Sequence, residues 1–411
     1  MPRALPHTRV MRAALAAFIL ASTALAASAQ LAPLQPRVWP LAGDDPALSS
    51  TADLAPLRSL IGNASIVALG ESYHTSAGFY RMKHRLFRYL VSELGFRALA
   101  IESLWQGAER AGDYVQTCSG TPERAIADHI NVWQSSEYAD LVRWMCQWNS
   151  AHPDAADKIT LFGFDIQQPW YDGPALIAFL ERAGVPRSDP RSKGIESCEA
   201  VTTRYPFGEI PPERHQTCLA ALAEAERLID AAPARERDVL KLRVVGLRAW
   251  ENSVFLIAHD YYAGYNARDE AMAYAFEAQR AMKAPGAKTV VWAANSHIAR
   301  TPLPRGERPF GSYLAATHGR DYVNFALAAY DTEIDFPGFG CGPVNRTPGS
   351  FEDVYGRGSV PALLIDTRSR FVPRRSFTIG IDEVRPYRDY TGAIVLAHSP
   401  KMHPYVWAPC R

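Results

Sequence analysis

The chain has 411 residues, 47% of them hydrophobic and 21% charged, with a formal net charge of +1. That balance excludes a disordered chain, because enough apolar material is present for a large core. Near-neutrality without blocks of like charge leaves no electrostatic footprint for nucleic acid or an acidic membrane surface, and the length allows one large domain or two smaller ones.

Arg3, Arg9 and Arg12 precede an uncharged run from Ala13 to Ala27, and Ala27-Ser28-Ala29 has the small-x-small form of a signal-peptidase site. Residues 1–29 are therefore predicted to be a secretory signal. The run is short for a bilayer span, so the expectation is a periplasmic or secreted protein with no membrane span after signal cleavage. All six cysteines lie beyond this segment. An even number in an oxidising compartment predicts disulfides, and neighbour pairing gives Cys118–Cys146, Cys198–Cys218 and Cys341–Cys410. The absence of Cys-x-x-Cys pairs argues against a zinc site.

Residues 30–55 are rich in Pro, Ala and Leu without a clear period, and read as an N-terminal extension lying over the domain. Apolar runs then alternate with helical patterns. Strands are predicted at Ile66–Leu69, Ala98–Ile101, Ile159–Phe164, Thr289–Ala294, Tyr322–Ala328, Leu363–Ile365 and Ala393–Leu396. Nearly continuous apolar strands separated by helices predict an α/β fold with a mostly parallel central sheet covered on both faces. Within residues 173–285 the strand signal disappears. Helices are predicted at Glu213–Ala231, Arg235–Ala258 and Asp269–Ala284, and the proline-rich stretch Arg187–Pro212 reads as a loop. This segment reads as a helical insertion acting as a cap or lid, dividing a catalytic domain into residues 56–172 and 286–411.

The run Ile66–Leu69 ends in Gly70-Glu71-Ser72-Tyr73-His74, a strand, a turn and the approach to a helix. Open α/β sheets bind their ligands at the carboxyl ends of strands. In the helix that follows, Phe79, Leu86, Leu90 and Leu94 form an apolar stripe. Lys83 falls on it and leans back toward Glu71 and His74. A carboxylate partner and a snorkelling ammonium are both open for this residue. Glu102 ends the second apolar run. Asp165 ends the third, where a helix or turn cap is as good a reading as a catalytic role. Asn295-Ser296-His297 follows the fourth.

Two histidines and at least two glutamates are thus expected to converge. A carboxylate-oriented imidazole suits general-base activation of water for attack on a carbonyl. The same side chains suit a divalent metal. No Gly-x-Ser-x-Gly elbow, His-Glu-x-x-His motif or glycine-rich phosphate loop occurs, so a serine nucleophile is disfavoured and no nucleotide cofactor is expected. Trp250, Tyr261, Tyr262 and Tyr265 either line an apolar pocket or pack the insertion's own core.

With these residues in hand, the chain resembles the erythromycin esterase family. The resemblance is carried by Leu69-Gly70-Glu71-Ser72-Tyr73-His74, Lys83 and Leu86, Gly95-Phe96, Ala100-Ile101-Glu102, and Gly163-Phe164-Asp165-Ile166-Gln167. It continues through Tyr265-Asn266-Ala267-Arg268-Asp269 with Met272-Ala273, and ends at Trp292-Ala293-Ala294-Asn295-Ser296-His297. It implies an α/β fold with a helical insertion and hydrolysis of a macrolactone ester, as in macrolide antibiotics, without metal or other cofactor. On that model His74 is the general base, Glu71 and Glu102 orient it or the water, and His297 and Arg268 complete the site. Lys83 stands where a basic residue is expected. The expected partner is a small-molecule ester or lactone. Two alternatives stay open: a metal-dependent hydrolase built on the same cluster, and a non-catalytic periplasmic protein binding haem or a lactone.

Overall fold

The computed structural model describes residues 37–411 apart from 168–170, 200–209, 305, 338–339, 347, 369–385 and 409–411. Nine strands form one sheet: β1 (Val38–Leu41), β2 (Ile66–Leu69), β3 (Ala98–Leu104), β4 (Thr160–Asp165), β5 (Thr289–Trp292), β6 (Tyr322–Phe336), β7 (Gly340–Pro343), β8 (Ala362–Asp366) and β9 (Gly392–Ser399). Their order is β1-β8-β9-β6-β2-β5-β3-β4, with β7 paired to β6. From β9 to β4 every neighbouring pair is parallel. The pairs β1–β8, β8–β9 and β6–β7 are antiparallel. The central strands β2 and β5 are buried along their whole length, which is why they read as unbroken apolar runs rather than alternating ones.

The strand period of two sorts these side chains onto two cores. Val67, Leu69, Val290 and Trp292 face one side, where they meet Phe79, Leu86 and Leu90 of helix α1 (Ala77–Leu94) and Leu141 and Met145 of α2 (Ser136–Ala151). Ile66, Ala68 and Val291 face the other, against Met272, Phe276 and Phe310. Helix α1 ends at Gly95, whose φ of 72° is the left-handed cap that only glycine takes without strain.

Between β4 and β5 the described residues form five α-helices: α3 (Asp172–Arg182), α4 (Pro190–Glu199), α5 (Pro212–Ile229), α6 (Ala234–Ile257) and α7 (Tyr261–Lys283). The first four share their own apolar cluster of Leu176, Leu180, Ile195, Leu222 and Val244. Trp250 is buried with Ile166 and Ala271, tying α6 to the exit of β4. The disulfides Cys118–Cys146 and Cys198–Cys218 join the expected neighbours, the second linking α4 to α5. Of the third pairing, Cys410 lies outside the described residues, as do residues 1–29. Among the described residues no helix is long and apolar enough to cross a membrane.

Several boundaries differ from the sequence reading. The segment read as an extension supplies the edge strand β1, and it is held down by a two-pronged bond from buried Arg85 to Asp53. Strand β6 continues past Ala328 to Phe336, where it leaves the parallel core to pair with β7. Helix α4 lies inside the stretch read as a loop, because proline in a first turn lacks only an N–H that is unpaired there anyway. Helix α7 starts at Tyr261 rather than Asp269, since the Asp260 carboxylate accepts the backbone N–H of Tyr262 and Ala263.

Candidate active site

The carboxyl ends of β2, β3, β4 and β5 bring Glu71, Glu102, Asp165 and His297 to one side of the sheet, and α7 supplies the residues that reach across them. Two close approaches shape the floor. A Cβ at Gly70 would sit 2.0 Å from the Asn295 side-chain oxygen, so the turn after β2 must be glycine for Asn295 to lodge there. Asn295 uses that position to pair with both backbone groups of Leu327 in β6, bonding its amide nitrogen to the carbonyl oxygen at 2.8 Å and its side-chain oxygen to the N–H at 3.1 Å. Gly163 in β4 faces the carbonyls of Ser103 and Leu104 at a register shift in β3 between Ile101 and Leu104. That irregularity holds Glu102, which lies within β3 rather than just beyond it, and bulges of this kind re-aim a side chain.

Glu71 and its partners form one arm. The Glu71 carboxylate is fully buried. One oxygen lies 2.7 Å from His74 Nδ1, and the other accepts from Lys83 Nζ at 2.8 Å. Lys83 also donates to the Ala293 carbonyl and lies over the Trp292 ring, 4.6 Å from its centroid. Of the two readings open for Lys83, the carboxylate partner is the observed one. Burial pulls its pKa down to about 8, against the opposing pull of Glu71. The carboxylate acceptor makes His74 Nδ1 the protonated nitrogen and leaves Nε2 as a lone pair. Among the described residues Nε2 has no hydrogen-bond partner, and the side chain is 24% exposed, so this nitrogen can meet solvent. Burial works against charge on this imidazole, but the Glu102 charge and the Glu71 hydrogen bond outweigh it and raise its pKa.

The second arm is centred on Glu102. Its Oε1 accepts from Arg268 Nη2 at 3.1 Å and faces His297 Nε2 at 3.2 Å, while Oε2 accepts the Ala294 N–H at 2.8 Å. Arg268 forks onto Asp165 through Nε at 3.1 Å and Nη2 at 2.9 Å. Asp165 is fully buried, so its place is under Arg268 rather than toward open space. Burial opposes ionisation of Glu102, yet the His297, His74 and Arg268 charges hold it well below the usual carboxylate range. Burial likewise opposes charge on His297. The Asp269 and Glu102 charges prevail over it and over Arg268, lifting the pKa to about 10.

All seven residues expected from sequence therefore lie in two hydrogen-bonded groups that meet at consecutive peptide groups, Lys83 donating to the Ala293 carbonyl and Glu102 accepting the Ala294 N–H. Two further contributors, Asp269 and Trp133, were not among the expected site residues, and a third, Tyr265, was expected only as a pocket-lining or core aromatic. Asp269 lies 2.9 Å from His297 Nδ1. The Tyr265 hydroxyl lies 3.1 Å from the same nitrogen, with its ring stacked on the imidazole. Trp133 donates Nε1–H to the Glu102 carbonyl at 2.5 Å and presents its ring to His74. Asp269 had a signal, since it directly follows Arg268 in a motif. Trp133, in a short turn, had none.

Comparison with known proteins agrees with this architecture. The sequence profile of the family described as erythromycin esterase matches residues 91–408. Erythromycin esterase type II of Escherichia coli is 23% identical over 313 residues, covering 68% of this chain and 72% of its own length. Erythromycin esterase type I of Escherichia coli is 24% identical over 318 residues, with 67% and 71% covered. The solved structure of a mutant erythromycin esterase, EreC, in its open conformation superposes with a TM-score of 0.72 at 18% identity, over 90% of this chain and 98% of that one. The α/β scaffold is thus shared, and the profile match spans most of the sequence: the chain belongs to the erythromycin esterase family.

Proposed function

We propose that this protein is an exported hydrolase that opens an ester or macrolactone with water activated by His74. The observation that carries the reading is the Lys83–Glu71–His74 relay, which ends in an unengaged and solvent-accessible Nε2. Lys83 fixes one Glu71 oxygen, the other oxygen fixes the His74 tautomer, and Nε2 takes a proton from water as its oxygen attacks the ester carbonyl. The negative charge that develops on the carbonyl oxygen is met by the positive side chains of the Glu102 arm, Arg268 and His297. Each oxygen of Glu71 and Glu102 already faces a cation, an imidazole or a backbone N–H. A divalent ion would have to displace those partners, so the reaction is assigned to the side chains alone. Helices α3–α7 form the cap over the strand ends. The family's macrolide chemistry suggests a bulky lactone, and the N-terminal signal pattern together with two disulfides favours the periplasm or exterior.

The test is to incubate the purified protein and a His74→Asn variant with a panel of macrolides and simple esters, following the gain of one water by mass spectrometry. The variant should lose about 10²–10⁴-fold in rate, and wild-type activity should survive chelation. Because His74 must be neutral to act and its pKa is raised, the rate should fall with decreasing pH at a value above the ordinary ~6.5 of histidine. Equal turnover by the variant, or a ligand recovered intact from the wild type, would sink the reading.

A further inference from the structure

We infer that Asp269 is a positioning residue that keeps His297 in the doubly protonated form, so that this arm of the site holds a fixed positive charge beneath the reacting ester. The inference rests on the hydrolase reading for its consequence in catalysis, but the protonation state itself does not.

Four carboxylates meet in the cluster: Glu71, Glu102, Asp165 and Asp269. The cations among them are Lys83 and Arg268. Two negative charges are left over, and His297 is the imidazole placed to offset one of them. His74 is partly open to solvent and keeps one nitrogen free. His297 is enclosed, with its side chain 6% exposed and carboxylates on both nitrogens: Asp269 Oδ2 at 2.9 Å from Nδ1 and Glu102 Oε1 at 3.2 Å from Nε2. An imidazole held between two buried carboxylates is satisfied when both nitrogens carry protons.

Arg268 Nη1 approaches His297 Nε2 to 3.1 Å, which could instead make Nε2 an acceptor. In that arrangement the Nε2 lone pair would face Glu102 Oε1 at 3.2 Å, a repulsion offset by the shared Arg268 guanidinium alone. The imidazolium form explains the same distances better. Arg268 donates to Glu102 Oε1, and a protonated Nε2 pairs as an ion with the same oxygen at 3.2 Å, so sharing that oxygen draws the two cationic groups together. Asp269 is itself held firmly. It is fully buried, and the oxygen that faces His297 also accepts the Phe310 backbone N–H at 2.8 Å. The carboxylate is therefore oriented before His297 uses it. Tyr265 closes the remaining side of the ring, its hydroxyl near Nδ1 and its plane parallel to the imidazole. The charged groups that face His297 are thus Glu102 from β3 and Arg268 and Asp269 from α7. The raised pKa of His297, about 10, agrees with this environment.

The experiment is nitrogen-15 NMR of the imidazoles in the full-length protein, with His297 assigned from a His297→Gln control. At pH 7 both ring nitrogens of His297 should show imidazolium shifts. In Asp269→Asn, which retains a side-chain oxygen for the Phe310 N–H, His297 should titrate at lower pH. If the hydrolase reading also holds, the same substitution should lower kcat by about 10²-fold and shift the alkaline limb of the pH–rate profile downward, leaving the acid limb set by His74 in place. A neutral His297 in the wild type at pH 7 overturns the inference, and that spectrum needs no variant to fold. A His297 titration that does not move in Asp269→Asn overturns the role given to Asp269. Failure of hydrolysis alone, with the NMR result intact, would count against the proposed function and not against the protonation state.

Discussion

The two arms of the site are built in opposite ways. Lys83 and Glu71 stand twelve residues apart in one β2–turn–α1 unit, with His74 between them. Around Glu102, by contrast, Arg268 is 166 residues away in sequence, and Asp165 and Arg268 are separated by 103. The first arm can be assembled by one strand and the helix that follows it. The second exists only when β3, β4, β5 and α7 are all in place. A compact local unit thus supplies the proposed base, while the charges around it depend on the whole sheet and on the last helix of the insertion. Damage to the second arm should consequently cost more stability than damage to the first.

Arg268→Ala is the strongest way to break this comparison. It removes the guanidinium shared by Glu102 and Asp165, both buried. Stripping the partner from buried carboxylates costs about 3–5 kcal/mol. Urea unfolding should show a loss in that range, and Arg268→Lys should recover part of it, since an ammonium cannot reproduce the two-pronged bond to Asp165. A loss below ~1 kcal/mol, the scale of an exposed ion pair, would mean that the second arm does not depend on this long-range contact.

Lys83→Met tests the local arm and should cost less, about 2–3 kcal/mol, because Glu71 keeps His74 as a partner and methionine fills much of the same volume. The two arms nevertheless meet at consecutive peptide groups: Lys83 donates to the Ala293 carbonyl, and Glu102 accepts the Ala294 N–H. With Arg268 gone, Lys83 still attracts Glu102 alongside the His297 imidazolium. The double variant should therefore be worse than the sum of the singles by about 0.5–1 kcal/mol. Strict additivity in the unfolding data would divide the site into two independent units.

The same contrast explains what could be read from sequence. The local arm was nearly complete there, because a strand period, a glycine turn and an amphipathic stripe place Glu71, His74 and Lys83 relative to one another without any knowledge of distant strands. The members of the second arm were recognisable as polar residues at strand ends, but their pairings were not. Nothing in the pattern distinguishes Asp165 as a cap from Asp165 as the seat of Arg268, since that depends on α7 crossing the strand ends. The core strands were legible because burial on both faces forces continuous apolar runs. The edges were not. β1 and β7 are short, partly exposed and antiparallel, so their pairing is set by neighbours that a local window does not contain. Trp133 lies in a short 3₁₀ turn that carries no periodic signal, although its indole supports Glu102 and touches His74.

The finest test concerns Tyr265, which touches the same His297 nitrogen as Asp269 but differs from it in charge. Tyr265→Phe keeps the stacked ring and removes the hydroxyl. The N–H at Nδ1 retains the nearer Asp269 oxygen, so no buried donor is left unpaired. The loss should be that of a single neutral hydrogen bond, about 0.5–1 kcal/mol, read as a small drop in stability or a few-fold fall in kcat. The imidazolium signal of His297 should persist, because a neutral hydroxyl contributes little to holding its charge. If Tyr265→Phe lowered the His297 titration as far as Asp269→Asn does, hydrogen bonding rather than the buried carboxylate would govern the second arm. The contrast between a locally wired base and a distant charged frame would then have to be redrawn around α7 alone.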